Sequence, residues 1–210
     1  MNTLMENPIK SVSETIQKSM NKAMTYEEYR NWVSELVASN SNSGPIQTDA
    51  LVNYTQLNDR RMKRWDKTLK ISEEYKKKIT NLNSKATWLV LTESWCGDAS
   101  PSLPVMNKMA ELNSKLDLKI VLRDENLELM NLFLTNEAQS IPKLIALDSE
   151  TNEVLGEWGP RPSIATKMVD DYKVKHGKLT AEFKEDLQVW YNKDKGQNIL
   201  EDLVNLLTLK

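Results

Sequence analysis

Cys96 is the single cysteine in 210 residues, and its setting suits nucleophilic chemistry. It stands in the run Thr87-Trp88-Leu89-Val90-Leu91-Thr92-Glu93-Ser94-Trp95-Cys96-Gly97-Asp98-Ala99-Ser100-Pro101. The apolar stretch Trp88 to Leu91 predicts a strand covered on both faces, Gly97 permits a tight turn, and Pro101 suits a first helical turn. A sulfur at that junction meets unpaired helix N–H groups and the positive end of the helix dipole, and both favour thiolate over thiol. Asp98 opposes them, because a carboxylate close to the sulfur raises the thiol pKa.

The same counts exclude other chemistry. One cysteine forms no internal disulfide, and one histidine beside it excludes a His/Cys metal site of ordinary ligand count. Neither a metal nor a cofactor is therefore expected. A net charge of −2, from 28 basic and 30 acidic residues, gives no whole-chain reason to bind nucleic acid or an anionic membrane. Met1 to Met20 hold no apolar stretch of signal-peptide length, and no segment approaches the roughly 20 apolar residues of a membrane span. The expected setting is the cytosol. A hydrophobic content of 40% is enough for a substantial core.

Three regions follow from the periodicities: a helical N-terminal extension over 1–84, an α/β domain over 85–176, and C-terminal helices packed on it over 177–210. In the first, Thr25 and Glu28 form a capping box ahead of Tyr29, Val33, Leu36 and Val37 on one face. The run Ser39 to Pro45 reads as an exposed, mobile loop. A longer helix places Leu51, Tyr54, Met62, Trp65 and Leu69 near one stripe, and a shorter helix runs from Ser72 to Leu82. Asp59 to Lys78 carry nine basic and four acidic residues. Their interleaving predicts local pairing on a solvated face, with an acidic partner surface as the alternative.

From Ala86 the pattern alternates. Strands are predicted at Thr87–Thr92, Leu118–Leu122, Pro142–Leu147 and Glu153–Trp158, with helices from Ser100 to Asn113 and Leu127 to Leu134. Pro104 falls inside the first of these helices and should kink it. The first two strands, joined by a helix, should be parallel with a right-handed crossover, and the last two antiparallel. That topology brings Arg123, Asp124, Trp158, Gly159, Pro160 and Arg161 to the Cys96 end of the sheet, where ligands of α/β sheets collect. Arg161, and Arg123 from further away, could steady a thiolate or hold a carboxylate; a salt bridge with Asp98, Asp124 or Glu125 is the plainer reading. A helix over Arg161–Lys175, a second capped by Thr180 and running through Tyr191 with Phe183, Leu187 and Trp190 on one side, and a last one over Ile199–Leu209 close the chain. Their apolar stripes finish a core, with a dimer surface as the alternative.

The order β-α-β-α-β-β-α with a cysteine at the tip of its first strand resembles the thioredoxin family. Trp95-Cys96-Gly97, Pro104, Ser140-Ile141-Pro142 and the glycines Gly156 and Gly159 carry the resemblance, over roughly Ala86 to Lys175. The Trp-Cys-Gly-Asp-Ala form looks like a divergent bacterial branch of that family. The resemblance implies a cis Ile141-Pro142 bond facing Cys96, and a backbone there that pairs with an extended peptide or a thiol compound. It nominates Cys96 as catalytic and Trp95, Gly97, Asp98, Ile141, Pro142, Gly159, Arg161 and Arg123 as substrate-binding.

The chain also departs from the family. Thioredoxin chemistry uses a second thiol to resolve the mixed disulfide, and that position is Ala99. The strand position that is acidic in thioredoxin is Val90. Three functions are compatible with these departures: one-thiol exchange with a protein or low-molecular-weight thiol, a recognition scaffold or redox sensor, and an iron–sulfur cluster shared between two chains.

Overall fold

A computed structural model describes residues 8–83 and 85–208. Residues 1–7, on which part of the expectation of no leader falls, Ser84 at the first domain boundary, and Leu209 lie outside the described residues. In chain order the elements are α1 (Pro8–Met20), α2 (Tyr26–Ala38), α3 (Asp49–Thr68), α4 (Glu73–Thr80), β1 (Ala86–Thr92), α5 (Ala99–Leu112), β2 (Leu116–Leu122), α6 (Leu127–Leu132), β3 (Lys143–Asp148), β4 (Val154–Trp158), α7 (Ser163–His176), α8 (Ala181–Asp194) and α9 (Gln197–Thr208). This is a mixed α/β architecture: a four-stranded sheet with helices around it and helical extensions on both sides of the β-α-β-α-β-β-α core.

The sheet order is β2-β1-β3-β4. β1 pairs parallel with β2 (Thr92 opposite Leu122) and antiparallel with β3 (Leu91 opposite Lys143), and β3 pairs antiparallel with β4 (Leu144 opposite Trp158). One end of the sheet therefore collects the end of β1, the end of β2, the start of β3 and the end of β4. β1 is an inner strand and all seven of its residues are buried, as its unbroken apolar run requires. The outer edge of β2 is met at one point by Met24, whose N–H and C=O exchange 2.8 Å bonds with Ile120. That contact blunts an otherwise open strand edge.

Helix ends follow local chemistry. Thr25 and Glu28 close the capping box of α2, and Thr48, Ser72 and Thr180 cap α3, α4 and α8 through their hydroxyls. Pro104 lies inside α5 without ending it, and every residue from Ala99 to Met106 is buried. Gly156 lets α9 come close to β4, since an added Cβ would meet the Leu206 side chain.

Several local expectations are corrected. β2 begins at Leu116, two residues early. α6 stops at Leu132 rather than Leu134, and Leu132 and Leu134 are exposed; Asn126, at its N-cap position, donates its side-chain amide to the Leu122 carbonyl at 2.8 Å. On α8 the buried stripe is Phe183, Leu187 and Tyr191, with Trp190 half-buried. Tyr54 of α3 is exposed although Met62, Trp65 and Leu69 are buried. The largest correction concerns Ser39–Pro45: Asn42 and Ser43 are buried, so the middle of this loop is an anchored segment.

Candidate functional site

The turn from Glu93 to Asp98 joins β1 to α5 and sets the sulfur. The Cys96 N–H donates to the Glu93 carbonyl at 3.0 Å, and the thiol donates to the Ile141 carbonyl at 3.3 Å. The Ile141–Pro142 bond is cis, as is Gly159–Pro160. Gly159 has φ +112°, and an added Cβ there would run into the carbonyl oxygen of Pro142, so the β4 end presses directly on the segment facing the thiol.

Cys96 is 7% exposed. Burial pushes its pKa up to about 12, and Asp98 adds to the rise; the Ala99 and Asp98 amides and the Arg161 charge pull the other way without offsetting it. The expectation that the helix start yields a thiolate is thus overturned by desolvation. At neutral pH this sulfur is a protonated thiol.

The charged neighbours pair with one another. Arg161 bonds the Asp98 carboxylate at 2.7 Å, and the Tyr191 hydroxyl donates to the same carboxylate at 3.1 Å. Burial nonetheless raises the Asp98 pKa above the ordinary carboxylate value, against the pull of Arg161 and Tyr191. The Arg161 Nε is buried with no hydrogen-bond partner among the described residues. Arg123 pairs with Asp124 at 2.8 Å, and its guanidinium lies 4.9 Å from the centre of the Trp95 ring, a cation–π contact. Trp95, Gly97, Asp98, Ile141, Pro142, Gly159 and Arg161 thus gather around Cys96, whereas Arg123 is engaged with Asp124 and the Trp95 ring. His176, in the last turn of α7, packs against Tyr172 with ring centres 4.3 Å apart and planes tilted by 30°.

Residues outside the motif cover it. The loop before α3 bonds the turn reciprocally: Ser43 N–H donates to Ser94 Oγ at 2.9 Å, Ser94 N–H donates to Ser43 Oγ at 2.7 Å, and Ser43 Oγ donates to the Glu93 carboxylate. The Glu93 carboxylate also accepts the Asp124 N–H at 2.9 Å, and burial raises its pKa. From α3, Thr55 bonds the Ser94 hydroxyl at 2.8 Å and Asn58 donates to the Ser94 carbonyl at 3.2 Å. From α8, Gln188 donates to the Gly97 carbonyl at 3.4 Å, beside the Tyr191 bond to Asp98. Arg61 and Gln188 flank Gly97, within 3.9 and 3.8 Å of where a Cβ would stand. Sequence reasoning missed all of these except as core or surface; the one available signal was Glu93, an acid set directly after a buried strand.

Among the described residues, no group of three or more His, Cys, Asp or Glu is placed to hold a metal ion, and no helix is long and apolar enough to cross a membrane.

The comparisons with known proteins fit this geometry. No curated protein matches the chain. Two similar solved structures each cover 88% of it at 16% identity: a protein of unknown function from Pseudomonas aeruginosa (TM-score 0.57, 97% of that chain) and an HIV epitope-scaffold (TM-score 0.55, 98% of that chain). At that identity they show a shared fold alone. A family model described as Thioredoxin matches residues 44–173, from the anchored loop before α3 to the last turn of α7, and the chain belongs to the thioredoxin family.

Proposed function

We propose that this protein is a one-thiol redox module, in which Cys96 exchanges with a protein or low-molecular-weight disulfide and rests as a shielded thiol between encounters. The observation that carries the reading is the position of the sulfur. The chain's single thiol lies at the start of α5 within reach of two backbone amides and 3.3 Å from the Ile141 carbonyl, with Ala99 where a resolving thiol would be.

In the exchange, the Cys96 sulfur, after giving up its proton, attacks one sulfur of a disulfide R–S–S–R′. The mixed disulfide Cys96–S–S–R forms and R′–S⁻ leaves, taking up the proton. A second small thiol R″–SH attacks the mixed disulfide, releasing R–S–S–R″ and restoring the Cys96 thiol. The chain supplies one thiol only, so this second step comes from outside. A cytosolic location, where small thiols are abundant, suits that requirement.

Burial of Cys96 and its pKa of about 12 favour a second reading, a recognition scaffold in which the thiol is inert. Incubating the purified, folded protein with oxidised glutathione and measuring its mass separates the two. The first reading expects a glutathione adduct on Cys96 that a small thiol reverses. No adduct after hours of incubation, with the protein still folded, would leave the scaffold.

A further inference from the structure

We propose that α8 is a lid over the Cys96 turn, latched by Gln188 and Tyr191, and that its displacement opens the thiol to partners. The inference deepens the one-thiol reading and depends on it for its purpose, though not for its test.

The attachment of α8 is narrow: apart from an exposed bond from Arg64 of α3 to Asn192 at 2.5 Å, it rests on one stripe, in which Tyr191 is fully buried. Three of its fourteen residues are buried, at the spacing i, i+4, i+8 of a narrow stripe, whereas α9 buries six of twelve. Of its two bonds to the motif, the Gln188–Gly97 contact at 3.4 Å is long for a hydrogen bond, and both are only partly buried. Its ends suit a hinged element. Gly177, at the turn before it, has φ +77° and nothing within 4 Å of an added Cβ. At the other end Lys195 and Gly196 take positive φ, and Gly196 packs against Val105, Leu69 and Trp65, a fixed pivot. A helix with one open hinge and one fixed pivot can swing without unfolding its neighbours. When it swings, the Gly97 carbonyl and the Asp98 carboxylate lose their α8 partners together, and the turn that carries Cys96 is uncovered from that side.

The test is the alkylation rate of Cys96 by iodoacetamide in the full chain. Tyr191→Phe combined with Gln188→Ala removes the latch. Phe183→Ala loosens the helix at its far end, where Phe183 stacks on Tyr172 at 4.0 Å, and touches no motif residue. Each is expected to speed alkylation about tenfold as the open population rises, while Val174→Ala, on a side chain 90% exposed, leaves the rate unchanged. Should the double variant unfold, Phe183→Ala carries the test alone. Wild-type alkylation rates in folded variants whose α8 amides exchange hydrogen faster would overturn the lid, as would a wild-type Cys96 that reacts as fast as a free thiol. If the variants alkylate faster but oxidised glutathione still adds nothing, the lid stands and the exchange reading falls.

Discussion

The two flanks of the Cys96 turn are covered by different means. On the side of α3 and the loop before it, Ser43, Thr55 and Asn58 hold Glu93 and Ser94 through a network of buried hydrogen bonds with reciprocal backbone contacts. On the side of α8, two partly buried side-chain bonds reach Gly97 and Asp98. Breaking the first leaves buried N–H and carboxylate groups without partners, which is costly; breaking the second leaves the buried Asp98 carboxylate with Arg161 still bonded to it at 2.7 Å and frees the half-buried Gln188 and Gly97 to water. The difference locates any opening of the site on the α8 side and makes the 42–44 segment part of the rigid frame.

Substitutions can break that contrast, beginning with the frame. Gly159→Ala forces a Cβ into the Pro142 carbonyl at a positive φ, and a loss of about 4 kcal/mol is expected from urea unfolding. Ser43→Ala removes the acceptor for the Ser94 N–H and the donor to Glu93, for an expected loss of about 3 kcal/mol by the same measurement. Tyr191→Phe on the lid side removes a single bond to a carboxylate that keeps Arg161 as its partner, and should cost only about 1.5 kcal/mol. A Tyr191→Phe loss equal to that of Ser43→Ala would erase the distinction between the flanks.

The smallest effect near neutrality belongs to the thiol itself. Its folded pKa is raised from 9.0 to about 12, so the unfolded chain releases the proton first. Stability from this group is complete below about pH 9 and is lost as pH rises toward 12. Unfolding curves of the wild type and Cys96→Ala should therefore run parallel at pH 7 and diverge in alkali, with the wild type falling faster.

Much of the frame was legible because its causes are local. The Thr25–Glu28 box is written in four residues, and β1 had to be an inner strand because its run has no polar face. The address of the thiol followed from strand order alone. Its state did not, because desolvation depends on what covers the sulfur, and the cover comes from afar. Ser43 is 50 residues from Glu93 and Tyr191 is 93 from Asp98, separations that leave no periodic trace. Ser39 to Pro45 looked like free loop for the same reason: composition reports turn propensity, and the serine that anchors it is a turn former too. The Arg161–Asp98 and Arg123–Asp124 pairs were among the salt bridges that the sequence offered as the plainer reading of these arginines, and only the choice of acid for each needed coordinates.

The central claim is that Cys96 rests as a covered, protonated thiol. The most direct test is the pH dependence of its alkylation by iodoacetamide in the folded protein, with a free small thiol as reference. With a pKa of about 12 against the ordinary 9.0, the thiolate share at pH 8 should be about a thousandfold below that of an unperturbed cysteine, and the rate should climb through pH 10 without levelling. A rate that levels below pH 9, at the speed of the reference thiol, would contradict the account.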